Sequence, residues 1–156
     1  MILLRLAGYS DREHPANHAL PPNTDPTLFD AVVIRTSNSQ EPKYYPARGK
    51  MDGGADCNLT NMQLLKRMEL EHDVEKVEDH PCYLMAGGMT FEPKYKIRLC
   101  WHTATARKVL ETEFYVTDDE PFDLLFGNGF MREHGGVIGR RPGYVGLLVR
   151  HETKGT

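Results

Sequence analysis

The residues best suited to chemistry stand in two short segments, Met51-Asp52-Gly53-Gly54-Ala55-Asp56 and Phe122-Asp123-Leu124-Leu125-Phe126-Gly127. A carboxylate at the tip of a tight loop, close enough to a second carboxylate to share a proton with it, divides acid and base work between the two. One acts as general base on a water, and the other as general acid to the carbonyl that the water attacks. A glycine beside the aspartate lets such a loop pack against its counterpart. Asp-Gly is also among the commonest turn dipeptides, so the loop taken alone fits a plain turn better. Asp123 precedes an apolar pair in a strand-like run and reads as a structural acceptor.

These segments need a scaffold, and the surrounding pattern is mostly that of strands. Phe29–Ile34 is β-branched and apolar, the composition of a buried strand. Ser37–Pro42 reads as a turn, and Lys43–Met51 as a strand leading into the Asp52 loop. The two adjacent glycines after Asp52 imply unusual backbone dihedrals or the close approach of another segment. Thr60–Leu70 is the best short helix, with Thr60 or Asn61 as cap and Met62, Leu65 and Met68 at helical spacing. Glu71–Asp79 is charged, anchored by Val74 and Val77.

Ala86-Gly87-Gly88 forms a second glycine hinge. Beyond it, Tyr95, Ile97, Leu99 and Trp101 alternate with Lys94, Lys96, Arg98, Cys100 and His102 as a half-buried strand. Thr103–Ala106 turns the chain, and Val109–Val116 returns with Leu110, Thr112, Phe114 and Val116 on one face. Pro121–Phe126 reads as another buried strand, Phe130–His134 as a helical turn, and Val137–Ile138 and Tyr144–Val149 as closing strands. Trp101 and Phe114 read as core. His134 and His151 read as exposed, and no Ser-His-Asp or Cys-His spacing stands out.

With the elements in order, the chain resembles the retropepsin-like family, in particular its cellular and retrotransposon-derived branches. Asp52-Gly53-Gly54-Ala55-Asp56 is similar to the family's D-[ST]-G-A-[DE] loop. Cys57-Asn58-Leu59-Thr60 is similar to the strand after it, and Leu124–Met131 to its L-L-G-x-D-x-L segment. The resemblance runs from about Phe29 to Val149. It implies a small, closed, β-barrel-like acid-protease fold, mostly β with one or two short helices. It also implies a homodimer in which Asp52 from each chain forms the catalytic dyad, because one carboxylate cannot be acid and base at once.

On the same resemblance Gly53, Gly54 and Ala55 support the loop. Asp56 holds the backbone of a peptide or protein substrate, and Gly87 and Gly88 form the flap hinge. Two positions depart from the pattern. Gly53 replaces a Thr or Ser whose hydroxyl braces the two loops across the dimer, a loss of about 1–3 kcal/mol per buried hydrogen bond. Gly129 replaces an aspartate, which weakens the support beneath the loop. Two further readings stay open: a catalytically impaired module of the same fold, kept for dimerisation or peptide binding, and a β-barrel binding domain unrelated to proteases.

Composition narrows the partners. At 156 residues the chain fills one sizeable core. The expected division is an N-terminal arm over 1–28, broken by Pro15, Pro21, Pro22 and Pro26, the domain over 29–150, and a tail over 151–156. Ile2–Leu6 reads as a short strand within the arm. A net charge of −3 argues against nucleic acid or an anionic membrane as main partner. The Arg132, Arg140, Arg141 and Arg150 cluster reads as solvated surface. The start has neither a signal peptide nor a membrane span, so a soluble, intracellular protein is expected. Cys57, Cys82 and Cys100 lack metal-site spacing and read as buried or half-buried free thiols; neither metal nor cofactor is expected.

Overall fold

The structure, a computed structural model, describes residues 20–84, 90–106, 108–118 and 120–134. The first long strand, β1 (Leu28–Ser37), runs antiparallel to β2 (Gln40–Met51), with Phe29 opposite Gly49. This hairpin is longer and its turn tighter than the proline and polar residues suggested, because Pro42 is accommodated inside β2 rather than ending it. The Phe29 ring lies over Gly49 and fills the space a side chain there would need, its nearest carbon 2.3 Å from an ideal Cβ.

After the Asp52 loop come β3 (Leu59–Asn61) and helix α1 (Met62–Arg67). The Asn61 side chain caps the helix by accepting the Gln63 N–H at 2.9 Å. The short strand β4 (Glu75–Lys76) and a separate two-stranded hairpin, β5 (Tyr83–Leu84) with β6 (Thr90–Phe91), follow. Two long antiparallel strands, β7 (Tyr95–Thr103) and β8 (Leu110–Thr117), lead to β9 (Leu124–Phe126) and helix α2 (Asn128–His134).

The main sheet has the order β1-β2-β9-β3-β8-β7-β4, and β1 also pairs with β7. That extra pairing closes β1, β2, β9, β3, β8 and β7 into a barrel, leaving β4 as an appendage on β7. The expected fold class is met: mostly β, a closed barrel and two short helices. Closure removes the open edges that would otherwise pair with other chains. Two joins in the ring are parallel, β2 with β9 and β3 with β8.

The barrel is filled by aromatic residues. Trp101, Phe114 and Phe126 are each fully buried. Phe126 is at the centre, its ring 4.6 Å from Trp101, 4.6 Å from Phe130, 5.5 Å from Phe114 and 5.7 Å from Phe29, centroid to centroid. Such tilted and edge-on pairs add to the burial of each ring. The Trp101 indole N–H is satisfied by Thr112 Oγ1 at 2.9 Å.

Several local expectations change. Tyr95, placed inward by strand alternation, is 44% exposed, while His102 on the opposite phase is buried; the end of β7 that holds His102 pairs with β1, and the end that holds Tyr95 pairs with the appended β4. The strand expected over Pro121–Phe126 is confined to Leu124–Phe126. Leu64 joins Leu65 and Met68 in the core, and Met62 is only partly buried. Cys82 is exposed, whereas Cys57 and Cys100 are half-buried, and His134 is half-buried against the Phe130 ring. Among the described residues no helix is long and apolar enough to cross a membrane. The expected strands over 2–6, 137–138 and 144–149, together with His151, Arg140, Arg141 and Arg150, lie outside the described residues.

Candidate functional site

Asp52 is the first residue after β2, at the point where that strand separates from β9. The parallel register places Met51 beside Phe126, and the next bond in line runs from the Asp52 N–H to the Phe126 carbonyl, 3.0 Å. The aspartate is thereby fixed to a residue whose own ring is held in the middle of the core. From there the chain turns sharply. The Ala55 N–H donates to the Asp52 carbonyl at 3.1 Å, and the Gly54 N–H donates to Asp52 Oδ1 at 2.9 Å. The carboxylate thus organises its own loop through an Asx-type turn. Among the described residues, Oδ2 has no hydrogen-bond partner. The side chain is half-buried, with Gly53, Gly54 and Asp56 exposed around it.

The loop's far side is tied to the chain after β9. The Asn128 N–H donates to the Ala55 carbonyl at 2.8 Å, and the Gly127 N–H to Asn58 Oδ1 at 2.9 Å. At Gly127 an ideal Cβ would lie 2.6 Å from the Cys57 carbonyl oxygen and 2.7 Å from that of Ala55. Here the two motif segments cross with no room for a side chain. The close approach expected at Gly53-Gly54 is therefore found at Gly127. Neither Gly53 nor Gly54 has a left-handed φ, and a Cβ on Gly53 would meet only Met131 Cε, at 4.0 Å.

Gly129 lies in α2, on the same side of the crossing as Asn128. A Cβ at this position meets nothing within 4 Å, and within one chain the bonds that support the loop come from Gly127, Asn128 and Asn58. Asn58 was not singled out from the sequence, because its partner is 69 residues away and no local pattern announces the bond.

Asp123 proves to be the structural acceptor anticipated. Its buried carboxylate accepts the Arg48 backbone N–H through Oδ2 at 2.8 Å and the Arg67 guanidinium through Oδ1 at 3.0 Å. With both oxygens so engaged, it is not available as the second carboxylate of a dyad. Arg48 and Arg67 gave no signal in the sequence beyond their charge. Arg48 also bonds Asp30 and the Pro21 carbonyl, which fastens the end of the N-terminal arm to β2.

The remaining expected site residues divide in two. Asp56 lies exposed on the rim of the loop, where its charge, second to burial, helps raise the Cys57 thiol to about 11. Gly87 and Gly88 lie outside the described residues; the short strands that precede and follow them in sequence, β5 and β6, pair with each other. The Tyr83 hydroxyl meets that of Tyr115 at 3.3 Å, with ring centroids 5.6 Å apart, which docks the hairpin onto β8. That hydrogen bond, followed by burial, pushes the Tyr83 phenol well above its usual range. Phe91, Tyr115 and Cys57 pack with Ala55, Leu59, Phe122 and Leu125 in a second apolar cluster, continuous from hairpin to loop. Among the described residues no group of His, Cys, Asp or Glu is arranged to hold a metal.

No protein-family model matches the chain, and no curated protein does. Among solved structures it is similar to the retroviral protease-like domain of Ddi1 from Leishmania major. The two are 21% identical over 70% of this chain and 78% of that one, with a TM-score of 0.45. A likeness at this level assigns no role to any residue here.

Proposed function

We propose that the chain is a retropepsin-like aspartic endopeptidase domain that acts as a homodimer, with Asp52 supplied once by each copy. The observation that carries the reading is the seating of Asp52. Its backbone is bonded to a core strand and its loop is closed on itself and on the chain after β9. One carboxylate oxygen has no partner among the described residues. A plain surface turn needs no such second segment beneath it. Asp123 of the second motif segment lies at the opposite end of β9 and is engaged by Arg48 and Arg67, so in this reading the second carboxylate comes from another copy.

In the dimer an ionised Asp52 takes a proton from a water lying between the two loops. The protonated Asp52 of the other copy gives its proton to the peptide carbonyl oxygen. The water oxygen bonds to the carbonyl carbon to give a diol. The C–N bond then breaks as the Asp52 that took the water's proton passes it to the amide nitrogen, and the other Asp52 takes a proton back from a diol hydroxyl. Asp56 on the loop rim, Gly87 and Gly88 are the residues that hold the peptide in this reading. No cofactor is required.

The test is cleavage of a mixed peptide library across pH 3–7 by the purified chain, beside Asp52→Asn. Loss of cleavage with fold and dimer retained is expected, and cleavage that survives the substitution overturns the proposal. The absence of a bracing hydroxyl at Gly53 favours a second reading, a dimerisation or peptide-binding module of the same fold without turnover. Space for a side chain exists there, so that reading expects Gly53→Thr to fold normally and to gain cleavage that the parent lacks. Robust turnover by the unaltered chain rejects it.

A further inference from the structure

We infer that Asp123 is a positioning residue for Asp52, setting the register of β9 on which the Asp52 backbone hangs; the catalytic part of this inference rests on the proposed protease reading. β9 is three residues long and joins β2 in parallel through Gly49–Leu124, Lys50–Leu125 and Met51–Phe126. So short a parallel join fixes its register poorly by itself, and a slip of one residue exchanges the faces of every side chain. Such a slip moves the Phe126 carbonyl away from the Asp52 N–H.

The residue immediately before β9 prevents it by binding three elements at once. Asp123 exchanges two bonds with Arg48 of β2, donating its N–H to the Arg48 carbonyl at 2.9 Å and accepting the Arg48 N–H on Oδ2 at 2.8 Å. Its carbonyl accepts the Asn61 N–H and the Thr60 hydroxyl of β3, each at 3.0 Å. Its Oδ1 accepts Arg67 Nη2 of α1 at 3.0 Å. The side-chain bonds are charge-assisted, and the residue is only 8% exposed, so they are among the stronger ones available. The Asp52 loop lies at the other end of the same three-residue strand. The carboxylate therefore acts on the site through backbone register, without touching the reacting atoms.

The experiment compares Asp123→Ala, Asp123→Asn and Arg67→Met with the parent by amide hydrogen exchange resolved to single residues, together with peptide-cleavage kinetics. Asp123→Ala is expected to speed exchange at the Asp52, Ala55 and Gly127 amides by about tenfold or more, the equivalent of one charged hydrogen bond. Amides in the β7–β8 pairing should be unchanged. Asp123→Asn, which keeps an oxygen for the Arg48 N–H, should restore most of the protection, with Arg67→Met intermediate. In cleavage, kcat should fall with KM little changed. Uniformly faster exchange across the barrel, or no change at the Asp52 loop, overturns the inference. Should Asp123→Ala fail to fold, Asp123→Asn against Arg67→Met gives the same contrast. The exchange result holds whether or not the parent cleaves peptides, so failure of the protease reading and failure of this one are told apart.

Discussion

Substitution of Gly127 by alanine is a severe test of how the two motif segments cross. The added methyl would lie 2.6 Å and 2.7 Å from two carbonyl oxygens and 3.0 Å from a carbonyl carbon, all of them backbone atoms of the Asp52–Asn58 segment. Ordinary carbon contacts begin near 3.5 Å, so the segments must part by most of an ångström. No flexible side chain is available to absorb the shift. Overpacking of this kind costs about 1–3 kcal/mol. The separation also strains the Gly127–Asn58 and Asn128–Ala55 hydrogen bonds, at about 1 kcal/mol each. The expected destabilisation is about 3–5 kcal/mol, seen as a lower urea midpoint at unchanged slope. Gly129→Ala is the control: it adds a methyl to open space in a helix and should be neutral or stabilising by up to about 1 kcal/mol. A Gly127→Ala chain as stable as the parent refutes the crossing as described here.

Other substitutions probe the rest of the site and its frame. Phe126→Ala removes the ring at the centre of the aromatic cluster and should cost about 3–5 kcal/mol in chemical denaturation, with the Asp52 loop loosened in hydrogen exchange. Asn61→Ala removes the α1 cap and the Nδ2 bond to the Glu120 carbonyl, and should cost about 1–3 kcal/mol by thermal melting. By contrast Arg98→Ala, which loses two exposed pairings with Glu111 and Glu113, should change stability by less than about 1 kcal/mol. Burial raises the Cys57 thiol from 9.0 to about 11, so alkylation at neutral pH should mark exposed Cys82 first and Cys57 only slowly. Because the folded value is the higher one, Cys57 contributes full stability below about pH 9 and loses it as pH rises towards 11; denaturation midpoints in Cys57→Ser should lack that component.

What the sequence made legible follows from the range of the forces involved. Trp101 and Phe114 announced themselves as core, and Asn61 as a cap, because alternation and capping are decided within a few residues. Asp52 stands out because its loop and the Leu124–Gly127 segment follow one another in the order of the retropepsin-like pattern, and the fold does bring the two segments together. Tyr95 and His102 depart from alternation because the two ends of β7 have different neighbours: His102 lies where β1 pairs with β7, and Tyr95 where only the appended β4 does. The Ser37–Pro42 turn was overdrawn for a similar reason: a proline tolerated in a strand is a matter of which side its missing N–H faces. Most instructive is the glycine that matters for packing. Gly53 and Gly54 drew attention by adjacency, yet Gly127 is the one with no space, since the atoms that crowd it come from another part of the chain.

That separation has a consequence for how the site comes into being. The bonds that hold the Asp52 loop join residues 69 and 75 positions apart, from Gly127 to Asn58 and from Arg48 to Asp123. On a growing chain, the loop is made long before the strand that must receive it. The β1–β2 hairpin can form from neighbouring residues early, but Asp52 has no anchor until Phe126 has left the ribosome. Loop closure over such distances is slow compared with local pairing. A chain halted before β9 would therefore carry the aspartate and its glycines while having no site at all.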